Sequence, residues 1–282
     1  MIRPGEIVID ESNYGTHIQT MVNGEWKING TIPRDYNAYP VGSSPYATGF
    51  KAVPPLPLIP RSEWSERIKE KVANKSQLSD IRLRSGPNGG LIPSLDQNGK
   101  GYCWAHSTTH AVMMMRAVMG LPYVPLSAYA VACMIKRYQD QGGWGAQSMD
   151  FACEKGIPSQ EHWPQQSMSP SNDKPTTWDN AKMHLVKAGW IDLDMPQYDR
   201  KLTFDQVGTL LLSNFPVVGD FNWWGHSVCL LDLVETSPGQ FGVRIWNSWS
   251  DSWSDRGMGV LKGSQAIPDG AVAPRLILAS AA

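Results

Sequence analysis

Gln97-Asn98-Gly99-Lys100-Gly101-Tyr102-Cys103-Trp104-Ala105-His106-Ser107 is the stretch on which the fold turns. Two glycines deliver a cysteine to the start of a segment in which Ala111, Val112, Met115 and Val118 form one apolar helical stripe, stopped by Gly120 and Pro122. A thiol in the first turn of a long helix meets unpaired amide N–H groups and the positive end of the helix dipole, and both favour a thiolate. A free thiol has a pKa of ~8.5, and pairing with histidine lowers it to roughly 3–4. The stretch therefore asks for a histidine from elsewhere in the chain. Cysteine is commonly just a small buried hydrophobe, and that reading is preferred for Cys133, Cys153 and Cys229, which lack the glycine-flanked, helix-opening position.

Two distant segments answer the request. Gly225-His226-Ser227-Val228 sets a histidine at the edge of a β-rich run, where its ring can cross a cleft and act as general base and then general acid. Asn247-Ser248-Trp249 follows the strand-like Gly242-Val243-Arg244-Ile245-Trp246, so the Asn247 amide can accept from an imidazole N–H and hold the tautomer. Trp249 and Trp253 either shield that bond from water or simply fill the core. Gln97, upstream of Cys103, offers a side-chain NH₂ that with the Cys103 backbone N–H can bind an oxyanion, a donor whose loss costs about 2.7–4 kcal/mol of transition-state stabilisation. Among the other histidines, His17, His106, His110, His162 and His184, only His106 rivals His226. At three residues from Cys103 on one helix, it shares a wall with the thiol and cannot face it across a substrate.

Composition allows this chemistry and excludes other classes. The chain has 282 residues, 41% hydrophobic, with a formal net charge of -1, which fits a globular protein with a core and gives no electrostatic reason to expect nucleic acid or an anionic membrane as partner. Four cysteines without C-x-x-C spacing argue against a zinc site, and no metal or cofactor is expected; a Cys133–Cys153 bridge stays open. The first residues lack the apolar core of a signal peptide, and no apolar run approaches the ~18 residues of a membrane span, so the expectation is synthesis in the cytoplasm.

Along the chain, residues 1–60 read as an extended, Pro-rich arm. Asn23-Gly24 and Asn29-Gly30 are hairpin-type turn signals, and Pro54-Pro55-Leu56-Pro57 ends the segment. The arm is expected to wrap the main domain or reach a protein partner, crossing the surface without filling the cleft; an inhibitory pro-segment is the alternative. Residues 61–90 hold a helix capped by Ser62, with Trp64, Ile68 and Val72 on one face, and a linker. Residues 91–282 form the main domain, helical over about 91–200 and β-rich over about 201–282. Within it Ser127 caps a second helix, a third ends near Gly156-Ile157-Pro158, and Thr203-Phe204-Asp205-Gln206 fits a capping box. Val217–Phe221, Ser227–Val234 and Phe241–Trp246 follow as strands, so the fold class is α+β.

These segments resemble the papain-like cysteine peptidases. Pro93 to Gln97 and Cys103-Trp104-Ala105-His106-Ser107 look like P-x-x-x-Q and Q-x5-C-W-A-F-S; Leu126-Ser127 through Cys133 is similar to the second-helix motif. Phe215-Pro216-Val217 resembles G-P-V, Gly225-His226-Ser227-Val228 resembles x-H-A-V, and Asn247-Ser248-Trp249 with Trp253 and Gly257 follows N-S-W-G-x2-W-G-x2-G. The resemblance runs from about Leu91 to Leu261. It implies a helical left lobe, an antiparallel β-rich right lobe and a cleft between them. It also implies peptide or protein substrates, a thioester acyl-enzyme on Cys103, and a Gly142-Gly143 pair that hydrogen-bonds substrate backbone, with Trp249 in the substrate-binding set. Lys100 replaces a usual cysteine, His106 a usual Phe, and Ser250 and Ser254 usual glycines; no family propeptide helix motif precedes Leu91. These departures keep a second reading in view, an assembly protein on the same scaffold with activity weak, lost or confined to maturation.

Overall fold

The computed structural model describes residues 2–18, 21–22, 25–26, 29–53, 56–194 and 199–275. In chain order the elements are β1 (Ile7–Ile9), β2 (Met21–Val22), β3 (Glu25–Trp26), β4 (Ala47–Gly49), α1 (Arg61–Ala73), α2 (Leu78–Arg82), α3 (Cys103–Val118), α4 (Ala128–Lys136), α5 (Gly145–Glu154), α6 (Pro175–Lys182), β5 (Trp190–Asp192), α7 (Arg200–Leu212), β6 (Val217–Phe221), β7 (His226–Ser237), β8 (Gln240–Trp246), β9 (Met258–Lys262) and β10 (Gly270–Pro274). The class is α+β, as expected, with helices gathered around α3 and a mostly antiparallel sheet in the second half of the chain.

α3 is the axis of the molecule. Fourteen of its sixteen residues are buried, because it packs on α4 and α5 on one side and on β6 and β7 on the other. An all-round buried helix needs apolar or internally satisfied residues on every face. Some of the polar ones are satisfied within the fold: Thr109 donates to Ala105 O (2.8 Å) and Thr108 pairs with Ser148 (2.6 Å). Ser127 caps α4, its side chain accepting from Ala130 N.

The eight-stranded sheet has the order β1-β9-β8-β7-β6-β10-β5-β4. Both edges come from the first fifty residues: β1 pairs in parallel with β9, and β4 in parallel with β5. The N-terminal segment is therefore built into the sheet at both ends. Glu6, just before β1, joins the buried Arg244 guanidinium, which also pairs with Asp232 at 2.7 Å. A buried guanidinium between two carboxylates is costly to break, about 3–5 kcal/mol when one partner is removed.

Several local expectations are corrected. α1 begins at Arg61 with Pro60 in the capping position, so Ser62 lies inside the helix. Trp64 and Ile68 are buried but Val72 is 40% exposed, because α1 covers the core only with its first two turns. α7 starts at Arg200, capped by the Asp199 carboxylate accepting from Leu202 N (2.9 Å), which supersedes the capping box at Thr203. Asn29-Gly30 is not a turn; it continues into an isolated bridge at Thr31. The Asn23-Gly24 turn and Pro54-Pro55 lie outside the described residues. All four cysteines are free thiols, Cys133 and Cys153 included. No helix among the described residues is long and apolar enough to cross a membrane.

Candidate active site

Cys103 is the first residue of α3, as its glycine-rich approach requires, and it is fully buried. Two fastenings bring β7 alongside. Ser107, one turn into α3, shares a 2.7 Å hydrogen bond with Ser227, and the Ser227 backbone lies beside the Cys103 sulfur. His226 opens β7 and is also fully buried.

The imidazole is oriented by an unambiguous chain of hydrogen bonds. Asn247 Oδ1 accepts from Ser248 N at 2.8 Å, which identifies it as the oxygen end of the amide. His226 Nε2 is 2.8 Å from the same oxygen and must therefore donate. The neutral ring then carries its lone pair on Nδ1, which has no hydrogen-bond partner among the described residues. An orphaned, buried acceptor of this kind is the arrangement a general base requires. Trp249 stacks on the imidazole (4.8 Å between centroids, 24°) and Trp224 meets it edge-on (4.8 Å, 71°). Trp253 packs on Trp249 (5.8 Å, 88°) instead of on the His226–Asn247 bond. Burial among these rings pulls the His226 pKa down to about 4, against the Asn247 hydrogen bond.

Gln97 is held from two sides. Its Nε2 donates to Lys100 O (2.7 Å) and its Oε1 accepts from Ser248 Oγ (2.7 Å), so the residue beside Asn247 also positions the glutamine. His106 is removed from the chemistry. Its Nδ1 lies 2.8 Å from Tyr102 O, its Nε2 lies 3.0 Å from Gln165 Nε2, and burial pulls its pKa down to about 4.

Among the described residues the sulfur has no hydrogen bond to the imidazole. Besides the Ser227 backbone, its partners belong to the N-terminal segment: Gly30 N–H at 3.3 Å and the Thr31 hydroxyl at 3.4 Å. The segment is threaded between the lobes. Gly143 N donates to Gly30 O and Ile32 N donates to Gly143 O, both at 2.9 Å, and on the opposite wall Thr31 N donates to Gly225 O at 2.9 Å. Asn29 Nδ2 adds a bond to Trp224 O (2.8 Å), and Trp224 Nε1 donates to His17 O (2.8 Å). The approach is so close that a Cβ on Gly30 would lie 2.0 Å from Gly101 O, and one on Gly142 would lie 2.6 Å from Gly30 O. The segment therefore fills the cleft, and the expectation that it crosses the surface is overturned.

This cover changes the electrostatics. Burial pushes the Cys103 thiol up, against the Thr31 hydroxyl and the Ser227 and Gly30 backbone groups that favour the thiolate. With the imidazole also held neutral, the covered state holds a thiol and an imidazole, not the thiolate and imidazolium that the helix start and a histidine neighbour favour. The arm is bound here but not poised for attack, because it presents an amide N–H to the sulfur. Two further residues stand beside the site. Trp224, two residues before His226, flanks its imidazole. Asp220 of β6 pairs with Ser227 across the sheet, accepts from Gly145 N at 2.9 Å, and is raised to about 6 by burial.

No protein-family model matches the chain. Among curated proteins, zingipain-1 from Zingiber officinale is 26% identical over 187 residues, which cover 60% of this chain and 81% of that protein. Cathepsin B-like CP3 from Giardia intestinalis is 31% identical over 196 residues, 59% of this chain; the alignment spans 63% of that protein's length. Among solved structures, the digestive procathepsin L2 proteinase of Tenebrio molitor superposes with a TM-score of 0.57 at 18% identity, covering 92% of this chain and 78% of that one. Xylellain, a cysteine protease from Xylella fastidiosa, gives a TM-score of 0.56 at 14% identity, covering 91% of this chain and all of that one.

Proposed function

We propose, on the premise that this chain belongs to the papain-like cysteine peptidases, that it hydrolyses peptide bonds of peptide or protein substrates through a thioester acyl-enzyme and that the structure described is its latent state. Cys103 is the nucleophile. His226 Nδ1 takes the thiol proton, and the resulting imidazolium returns it to the leaving amine. Water then enters, gives its proton to the same nitrogen and attacks the thioester, releasing the acid and restoring the thiol. Asn247 keeps Nε2–H pointed away from the sulfur so that Nδ1 is the basic nitrogen. The Gln97 side-chain NH₂ and the Cys103 backbone N–H are the oxyanion donors. Gly142 and Gly143 receive substrate backbone, as Gly143 receives that of residues 30–32 here. Trp249 caps the imidazole and borders the leaving-group side.

The observation that carries this reading is the lone pair at His226 Nδ1, fixed by the Asn247–Ser248 bonds and left without a partner among the described residues in a buried site next to a helix-opening cysteine. Latency follows from residues 29–32. They cap the sulfur in a site whose burial raises its pKa, and they occupy Gly143, so the cover must leave before substrate enters. The test is turnover of a broad peptide panel by the full chain and by a full-length Gly30→Val variant, whose side chain cannot fit against Gly101 O. The variant is expected to cleave and the parent to be slow. Equal cleavage by Cys103→Ala in the same background would reject the nucleophile.

A further inference from the structure

We propose that the cavity bounded by Asp220, Asn222 and Asp269 is a specificity subsite for a basic side chain of the substrate, arginine or lysine; the proposal rests on the peptidase reading above. The cavity, of about 250 Å³, is also lined by Arg34 and Tyr36 of the N-terminal segment. It adjoins the reacting groups. Asp220 sits opposite Ser227 in the sheet, one position from His226, and its Oδ2 accepts from Gly145 N, two residues beyond the Gly143 that holds the segment.

Asp220 is only 7% exposed, and its Oδ1 has no hydrogen-bond partner among the described residues. A second carboxylate lies on the same face of the sheet. Val218 is opposite Val272 and Val272 is opposite Asp192, while Asp220, two residues on from Val218, is opposite Gly270. Asp192 is 1% exposed. Asp269 is paired with Arg200 of α7 (3.4 Å), but the cation beside Asp192 and Asp220 comes from the segment that covers the sulfur. Arg34 clasps Asp192 with both terminal nitrogens (2.9 and 2.8 Å) and borders the Asp220 cavity.

A buried carboxylate is tolerated when it is paired and is costly when it is not. Arg34 follows Thr31 by three residues, so displacing Gly30 and Thr31 from Cys103 pulls at the guanidinium as well. Asp220 and Asp192 then face an open cleft without their cation. A substrate bringing a guanidinium or ammonium group to that place restores a charge-assisted hydrogen bond, and one bringing a neutral side chain leaves the wall unpaired. The segment thus fills with its own arginine the role that a substrate side chain takes.

The experiment uses full-length Gly30→Val protein and peptide pairs differing only in arginine against citrulline at each position in turn, so that shape is kept and charge removed. At one position arginine should be preferred in kcat/KM by about tenfold or more, the size of one charge-assisted hydrogen bond. Asp220→Asn, which keeps an oxygen for Gly145 N–H, should bring the arginine-to-citrulline ratio towards one. Cleavage with no position preferring arginine overturns the subsite and leaves the peptidase reading standing, as does a preference that Asp220→Asn does not move. Failure to cleave any peptide overturns both.

Discussion

Replacing Gly30 by valine should unmask Cys103, and the size of the effect follows from the contacts that hold the cover. A Cβ at residue 30 lies 2.0 Å from the backbone oxygen of Gly101, which belongs to the turn that starts α3 and cannot yield without moving Cys103. The segment must lift instead. Three backbone hydrogen bonds then go: Gly143 N to Gly30 O, Ile32 N to Gly143 O and Thr31 N to Gly225 O. At about 0.5–1.5 kcal/mol net each, they hold the closed state by about 1.5–4.5 kcal/mol. The uncovered fraction should therefore rise by roughly ten- to a thousandfold. The assay is the second-order rate of Cys103 alkylation by a small neutral iodoacetamide at neutral pH, followed by mass spectrometry so that Cys133, Cys153 and Cys229 are counted separately. Only the open form reacts, so the rate should increase by the same factor until opening is complete. A variant that folds normally and labels Cys103 no faster than the parent would refute the claim that residues 29–32 are what shields the sulfur.

Other outcomes follow from the same geometry. Deleting residues 2–60 should not yield an activated enzyme, because it removes β1, β4 and Glu6; the truncated protein should unfold at much lower temperature than the parent in calorimetry, and a stable, active truncation would contradict the sheet pairing. Glu6→Gln leaves Arg244 with one buried carboxylate and should cost about 3–5 kcal/mol in chemical denaturation, with no change in denaturant slope. Asn247→Ala in the Gly30→Val background removes the fixed tautomer and should lower kcat by about a hundredfold with KM little changed, as steady-state kinetics would reveal. In Cys103→Ala, where no thiol can pass its proton to the ring, acid should loosen the cover. The covered His226 has its pKa lowered to about 4, so the closed state resists protonation. An uncovered ring without a thiolate neighbour, with an ordinary pKa near 6.5, takes up a proton first. As pH falls from about 6.5 towards 4, the open state gains up to tenfold per unit. Hydrogen-exchange protection of the Thr31 and Ile32 amides in that variant, corrected for intrinsic rates, should decline over that window and stay flat when His226→Gln is added.

The helical and β-rich portions were legible because their signals are local. Glycine and proline bracket α3, Ser127 stands where α4 needs an acceptor, and β6 to β8 are short β-branched runs between turns. The candidate site was legible for a related reason. Chemistry-bearing side chains sit at the ends of these elements, Cys103 at the start of α3, His226 at the start of β7 and Asn247 just past β8, where regular backbone releases a side chain into a cleft. The N-terminal segment was not legible in the same way. β1 is only Ile7–Ile9, and its partner β9 lies some 250 residues away; such a pairing leaves no periodicity to read. Gly30 carries no signal for its close approach to Gly101, and Asn29-Gly30 looks like a hairpin turn because the two uses of glycine share one sequence. The raised thiol follows from that miss. Helix start and histidine argue for a thiolate only when water or an imidazolium is at hand, and the cover removes both. Asp220 was passed over because one aspartate in a β-rich run gives no sign of being buried.

The most direct measurement is mass spectrometry of full-length Gly30→Val protein quenched during turnover of an activated peptide ester, with Cys103→Ala and His226→Ala run beside it. The account predicts one acyl group per chain, carried on the tryptic peptide that contains Cys103, absent from Cys103→Ala and formed far more slowly in His226→Ala. An acyl group on another residue, or ester turnover that survives the loss of Cys103, would contradict it.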